Sequence, residues 1–509
     1  SSNDFLPNEA TKELTEENIN IQDTILPLTK NDSICMVTNL GYTKNQVGEK
    51  MLLLPINYPV APGGTIKYPA KKDLASLLNS EMNSKNPILI GKLVAREDID
   101  VFVSADNMVS RHVLVIGMTG SGKSVATRRL MRELMHKDYP ILIIDPHGDY
   151  LGIVKQAKKL FPKHVIKLFY PKISAPSNNK EVIFALIEKL GKKLTDPQYD
   201  FLNWLLDNIP YESGQNLMDY INVLIDRANT AAANKRNKSS AGMNGIGNTG
   251  ATTMGVVARS LRVVQSKLKK MEKDNKENME KFPHLKFEEL PDSYSQPENI
   301  ISKSQVSILY LKGYESLPSS TIVSILLENL FNHRSAGNKT IPPFFTIVEE
   351  AQNFIPSRAE GQDGYPSVET IKKISTEGRK FGVGLMIVTQ RPYKLDETVC
   401  SQMNSYIILR LKNERDQRFV KNTMENWDDE VARQLPNFAN GQGIVSGQIT
   451  NLPLTVKIKF DADLVNSDLG DEDFINDVQN WKDTEITKKK KSFYKNFDKI
   501  FKSDQRRPN

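Results

Sequence analysis

The chain has 509 residues, of which 39% are apolar and 25% charged, with a formal net charge of +7. This length predicts roughly two to four domains, and no stretch approaches the ~20 uncharged apolar residues of a membrane helix. Two cysteines, Cys35 and Cys400, exclude a disulfide framework, and the six histidines lack zinc-like spacing; together with a polar, acidic opening that reads as no secretory signal, they lead us to expect a cytoplasmic protein.

In chain order, residues 1–24 read as a flexible arm. From residue 25 to 105 short apolar runs (ICMVTNL, EKMLLLPINY, GTIKYPA, PILIGKLVA, DVFVSA) are separated by Asn, Gly and Pro, with one short helix near DLASLLNSEM. That pattern predicts a small N-terminal β-barrel. At Arg111 it changes. HVLVIG, YPILIID and VIKLFY are buried-type strands alternating with helices over residues 106–173, and QVSILYL, FFTIVEEA, LMIVTQ and SYIILRL continue them over 305–460. The fold class is α/β, with a mainly parallel sheet covered on both faces.

Between the two parts, residues 174–304 predict a helical insertion subdomain. In its last helix Val257, Leu261, Val264, Leu268 and Met271 form one apolar stripe. The stretch from Ala231 to Gly255, rich in Asn, Gly, Ser and Thr, reads as a flexible basic loop carrying Lys235, Arg236 and Lys238. Beyond residue 460 the chain turns acidic, with seven acidic and no basic residues from Asp461 to Trp481. It then turns basic, with ten basic and four acidic from Lys482 to Asn509. Residues 461–509 read as a solvated tail. The mildly basic body permits a nucleic-acid partner without requiring one.

Gly117-Met118-Thr119-Gly120-Ser121-Gly122-Lys123-Ser124, followed by Val125, is a complete phosphate-binding loop between a buried strand and a helix. Its N–H groups and the helix dipole would cradle phosphate oxygens, Lys123 would bridge the β- and γ-phosphates of ATP, and Ser124 would bind Mg²⁺. FFTIVEEA supplies Glu349 and Glu350 at a strand end. One would hold the metal's water shell and the other polarise the attacking water, in an order left open. Asp145, His147 and Asp149 in DPHGD stand at another strand end, where ligands of open α/β sheets collect; Asp145 either supports the metal or builds the turn. Thr389 and Gln390 end LMIVTQ, where a polar group can touch the γ-phosphate. Arg379 is the favoured arginine for the transition state, contributed to a neighbouring subunit. Arg410, Arg415 and Arg111 are the other candidates, with structural salt bridges as their competing reading.

Taken together, HVLVIGMTGSGKS, IIDPHGDYLG, TIVEEAQNFIP, STEGRKFGVGLMIVTQRP and QMNSYIILRL resemble the HerA group of the HerA–FtsK ATPases, from about residue 30 to 460. The resemblance implies a RecA-like core in a homohexameric ring, with the barrel (of the HAS type) stacked on one face and double-stranded DNA in the channel. It also implies a NurA-type nuclease docked on the barrel face for end resection in recombinational repair. Lys123, Ser124, Glu349, Glu350 and Gln390 match the family's nucleotide motifs, and Gln352 stands where many members carry His. Channel contacts to DNA phosphate would come from the segment Pro356 to Ser367 with Arg358, and from Lys235, Arg236 and Lys238. The competing functions are a conjugative or chromosome-partition ATPase, a slow nucleotide-dependent switch, and a protein-remodelling ring.

Overall fold

The computed structural model describes residues 45–47, 50–52, 71–78, 86–173, 184, 187–188, 190, 194–211, 217–237, 249–337, 339–361, 365–423, 433–450 and 453–464. Two short strands, β1 (Asn45–Val47) and β2 (Lys50–Leu52), pair antiparallel on their own. Twelve strands form one sheet. They are β3 (Pro87–Leu93), β4 (Arg96–Ser104), β5 (Val113–Ile116), β6 (Ile141–Asp145), β7 (Val165–Tyr170), β8 (Phe287–Glu289), β9 (Gln305–Tyr310), β10 (Phe344–Val348), β11 (Val383–Thr389), β12 (Ser405–Leu409), β13 (Gln442–Gly447) and β14 (Leu454–Ile458). Their order is β4-β3-β14-β13-β12-β5-β11-β10-β6-β9-β7-β8. Pairings from β12 through β8 are parallel, and those from β12 out to β4 are antiparallel.

The parallel strands are apolar throughout because both faces are covered. Successive side chains alternate faces, so Val113, Val115, Ile141 and Ile143 enter one core while Leu114, Ile116, Leu142 and Ile144 enter the other. Helices Ala105–Arg111, Lys123–Met135 and Leu151–Leu160 supply the first core. The insertion and helices Ser316–Ser335 and Ser367–Phe381 supply the second. Each fully buried Leu or Ile contributes about 1.5–3 kcal/mol.

The fold departs from the expected domain plan at both ends. PILIGKLVA and DVFVSA form strands, but β3 pairs with β14 and so extends the central sheet. The rest of the segment expected as a barrel lies largely outside the described residues, apart from β1, β2 and the helix Lys71–Leu78. Strands β13 and β14 were not anticipated, although Leu454, Val456 and Ile458 alternate as a half-buried strand should and are buried.

Within the range expected as a helical insertion, helices span Asp196–Asn208, Leu217–Arg236 and Ala251–Lys281, whereas β8 pairs with β7 and belongs to the central sheet. All five residues of the stripe from Val257 to Met271 are buried. The flexible loop expected from Ala231 is corrected. Ala231 to Arg236 continue the helix, because the alanine run is the strongest helix former available and Ala231 and Ala232 are buried. Lys235 and Arg236 therefore sit in a helical last turn, while Lys238 lies outside the described residues. The expected tail also starts later. Asp461 and Asp463 are fixed by ion pairs to Arg129 and Arg132 on the helix Lys123–Met135. Among the described residues no helix is long and apolar enough to cross a membrane.

His112, just before β5, is 3% exposed, and its Nδ1 accepts the Leu385 N–H at 3.0 Å. Burial pushes its pKa down to about 4 from the ordinary 6.5. Between those values the unfolded chain carries a proton that the folded one refuses, so this contribution to stability is complete above about 6.5 and lost as pH falls toward about 4. The interval corresponds to about 3 kcal/mol. Urea unfolding at about pH 7.5 and about pH 5 should show His112→Gln losing about 2 kcal/mol less than wild type over that range; equal losses would place the imidazole in water.

Candidate nucleotide site

The parallel strands β5, β6, β10, β11 and β12 end at one edge of the sheet, and the candidate residues collect there. The glycine loop leaves β5 at Ile116 and enters the helix Lys123–Met135. A side chain at Gly117 would place its Cβ 2.4 Å from Ser121 Oγ and 2.9 Å from Leu409 Cβ. Gly122 has φ 106, and a Cβ there would stand 3.0 Å from the Gly441 backbone. The loop is tied to neighbouring strand ends. Gly117 N donates to Thr389 O at 3.3 Å, Met118 N to Arg410 O at 3.0 Å, and Gly441 N to Ser121 O at 2.8 Å.

Lys123, Ser124 and Val125 open the helix, so their N–H groups have no acceptor within it. Ser121 Oγ is buried without a hydrogen-bond partner. Lys123 is buried, its Nζ donating to Met118 O at 3.3 Å. Burial lowers its pKa, opposed by the charges of Glu350, Glu349 and Asp149. Free amides, an orphan hydroxyl and a buried cation at a dipole's positive end fit a chain of phosphates.

The two glutamates separate as expected, though not by strand alternation alone. Strand β10 stops at Val348, and Glu350 adopts left-handed backbone with φ 45, opening the short turn Ala351–Asn353. Such a conformation costs a non-glycine residue of order 1–3 kcal/mol and concentrates at functional sites. Glu349 is 4% exposed and Glu350 6%. The Tyr150 hydroxyl donates to Glu349 Oε1 at 2.6 Å, and the Thr127 hydroxyl lies 3.4 Å from the same oxygen. Burial pushes the Glu349 carboxyl up to about 7 and the Tyr150 phenol well above its ordinary range, so the tyrosine keeps its proton and donates.

Glu350 faces other partners. Gln390 Nε2 donates to its Oε1, and Gln352 Nε2 donates to its Oε2 at 2.5 Å. Gln390 Oε1 accepts the Thr119 hydroxyl of the glycine loop. This arrangement follows from strand order: β11 lies between β5 and β10, so the residue after β11 stands between the loop and the glutamates.

Asp145 resolves toward its turn-building role. It is fully buried, and its carboxylate accepts backbone N–H groups of His147, Gly148, Asp149 and Tyr150 at 2.8 to 3.3 Å. Burial still pushes its pKa up to about 6. With both oxygens engaged it orients Tyr150, and through Tyr150 it acts on Glu349; His147 and Asp149 are exposed.

The arginines divide by edge. Arg379 is exposed in the last turn of the helix Ser367–Phe381, which leads through Gly382 into the start of β11. It therefore stands about 20 Å of strand length from the glycine loop of its own chain. Arg111, before β5, is also at that far edge. Arg410 follows β12 at the near edge; its carbonyl accepts Met118 N, while its Nη1 reaches Phe438 O at 3.5 Å. Arg415 is exposed on the helix Glu414–Thr423. Arg358 is exposed in the single turn Arg358–Glu360. Tyr150, Thr127 and Gly441 were not anticipated. The DPHGDY run offered a signal for Tyr150, whereas nothing local marks Gly441. In the sequence Gln352 stands out only as a departure from the family pattern.

Residues 88–330 match the family model described as the helicase HerA central domain. Over 438 residues the chain is 26% identical to a probable DNA double-strand break repair helicase HerA of Methanocaldococcus jannaschii, covering 81% of this chain and 83% of that one. A probable helicase of the same organism is 27% identical over 449 residues, covering 82% and 78%. The fold is similar to VirB4 of Thermoanaerobacter pseudethanolicus at 13% identity and a TM-score of 0.50, covering 75% and 98%. A phosphate loop, a glutamate pair and a polar strand end thus gather at one sheet edge, in a chain that is similar to the HerA helicases.

Proposed function

We propose that the protein is an ATP-driven translocase or helicase on double-stranded DNA. On this reading it acts as a homohexameric ring with a NurA-type nuclease in DNA end resection for recombinational repair. The observation that carries the reading is the hydrogen-bonded run Thr119–Gln390–Glu350, which links the phosphate loop to a buried carboxylate as a hydrolysing site requires. The names of the relatives supply DNA repair.

Lys123 and the free amides of the loop hold the phosphates and offset their charge. Among the described residues no group of three His, Cys, Asp or Glu could hold a metal ion; the Ser124 hydroxyl and Glu349 would help hold Mg²⁺, which would supply positive charge to offset that of the phosphates. Glu350 accepts a proton from water as the water oxygen bonds the γ-phosphorus and the bond to the ADP oxygen breaks. Arg379, remote from its own loop and exposed, is suited to reach a neighbouring subunit's site, where such an arginine is worth about 10³–10⁵ in turnover. DNA contact through Arg358, Lys235, Arg236 and Lys238 would use phosphate rather than bases, because a translocase moves across all sequences.

ATP turnover measured with duplex DNA, with unfolded protein and with neither tests the reading. Duplex DNA should stimulate; stimulation by unfolded protein alone would favour a remodelling ring. Arg379→Ala should cut turnover by about 10³-fold while leaving nucleotide binding intact. Mixing it with Glu350→Gln subunits should restore part of the activity, and no gain would exclude Arg379 as the residue acting across the interface.

A further inference from the structure

Glu350 is held from two sides by amides that differ in their own support. On one side Gln352, within the turn Ala351–Asn353, donates to Oε2. Behind it, the Thr389 hydroxyl donates to Gln352 Oε1 at 2.7 Å and accepts the Arg391 N–H at 3.0 Å. Thr389 is fully buried at the end of β11. A side-chain amide can present either end to a partner. Here the choice is made for it. The Glu350 carboxylate only accepts, so it takes the Gln352 NH₂, and the amide oxygen left facing Thr389 accepts the hydroxyl proton while the Thr389 oxygen accepts the Arg391 N–H. On the other side Gln390 donates to Oε1, but its anchor is the hydroxyl of Thr119 on the exposed rim of the glycine loop.

We propose that Gln352, oriented by Thr389, is the positioning residue for Glu350. It fixes one carboxylate oxygen to the sheet while Gln390 holds the other only until the loop is filled. A phosphate entering the glycine loop competes for the Thr119 hydroxyl and the Gln390 amide, both at its mouth. Gln390 then turns toward phosphate, and Oε1 is released to face water. Oε2 remains on Gln352, so the carboxylate pivots about a fixed point instead of swinging away. The pairing thus makes readiness of the carboxylate conditional on a filled loop. This inference rests on reading Glu350 as the group that accepts the proton of water.

The test is steady-state ATPase and separate nucleotide binding on the full chain, for Gln352→Ala, Gln352→His, Thr389→Val, Thr389→Ser and the Gln352→Ala/Thr389→Val double variant. Gln352→Ala should lower kcat about tenfold with KM and nucleotide affinity unchanged. Gln352→His should retain most of the turnover, because a neutral imidazole offers one donor and one acceptor. Thr389→Val, which keeps the shape and removes the hydroxyl, should lower kcat in the same way, with Thr389→Ser restoring it. In the double variant the threonine change should add nothing, since it acts through Gln352. Wild-type kcat in Gln352→Ala, or full additivity of the two changes, would overturn the proposal. Should Gln352→Ala fail to fold, the Thr389→Val and Thr389→Ser pair decides alone. Glu350→Gln measured alongside separates the two levels: if it turns over normally, the reading of Glu350 itself fails. If it is inactive while Gln352→Ala is unaffected, only the positioning role fails.

Discussion

Glu350→Gln is expected to bind ATP and to hydrolyse it about 10²–10⁴-fold more slowly than wild type, the usual contribution of a positioned base. The choice of Glu350 over its neighbour is geometric. The Glu349 carboxylate takes the Tyr150 and Thr127 hydroxyls, behind the first turn of the helix that begins at Lys123. Glu350 faces the mouth of the loop, sharing Gln390 with Thr119. The amide variant preserves shape but sets its NH₂ against the NH₂ of Gln352 or Gln390, so one of the two contacts is lost as well as the basicity. The lysine and the loop amides are untouched, which is why affinity should hold. Single-turnover hydrolysis with a fluorescent nucleotide measures both quantities. Wild-type turnover in Glu350→Gln together with an inactive Glu349→Gln would reverse the two roles.

Much of this site was legible because its parts are local. A glycine loop between a buried strand and a helix, two glutamates after an apolar strand, and Gln390 after another each announce themselves within a dozen residues. Gathering them needs only the rule that parallel strands present their carboxyl ends at one edge. What stayed hidden depends on contacts between distant segments. Gly441 braces Ser121, and Asp461 meets Arg129 across 332 positions; no periodicity encodes such pairs. Strand β14 receiving β3 likewise joins distant parts of the described chain, so β3 and β4, which read as part of a separate barrel, form an edge of the central sheet. Asp145 stayed open between two readings for a different reason. A carboxylate at a strand end suits either a metal or a turn, and four backbone donors at 2.8 to 3.3 Å made it the turn. The left-handed backbone at Glu350 has no composition signal.

Arg129→Ala is expected to cost about 3 kcal/mol of stability, the lower end for breaking a buried ion pair. Arg129 is 3% exposed on the helix that starts at Lys123. Its guanidinium donates to Leu89 O of β3 at 2.7 Å, to both Asp461 oxygens at 3.0 and 3.2 Å, and to Glu133 at 2.6 Å. Removing it leaves the Asp461 carboxylate buried with Arg132, 3.4 Å away, as its remaining cation among the described residues, which is why the lower end of the range applies. Arg129→Lys should recover little, since one ammonium cannot span a carbonyl and two carboxylates in a planar fork. Replacing both partners, as Arg129→Met with Asp461→Leu, should come close to wild type, because neither charge is then stranded. Denaturant unfolding of the four proteins separates these cases. An Arg129→Ala variant within about 0.5 kcal/mol of wild type, the range of ordinary surface changes, would mean the pair adds nothing. The same guanidinium ties the phosphate-loop helix to β3 and to the chain beyond β14. Loss of that tie should therefore also raise KM for ATP, while turnover of bound nucleotide, which the proposed reading assigns to Glu350 at the far side of the loop, stays near wild type.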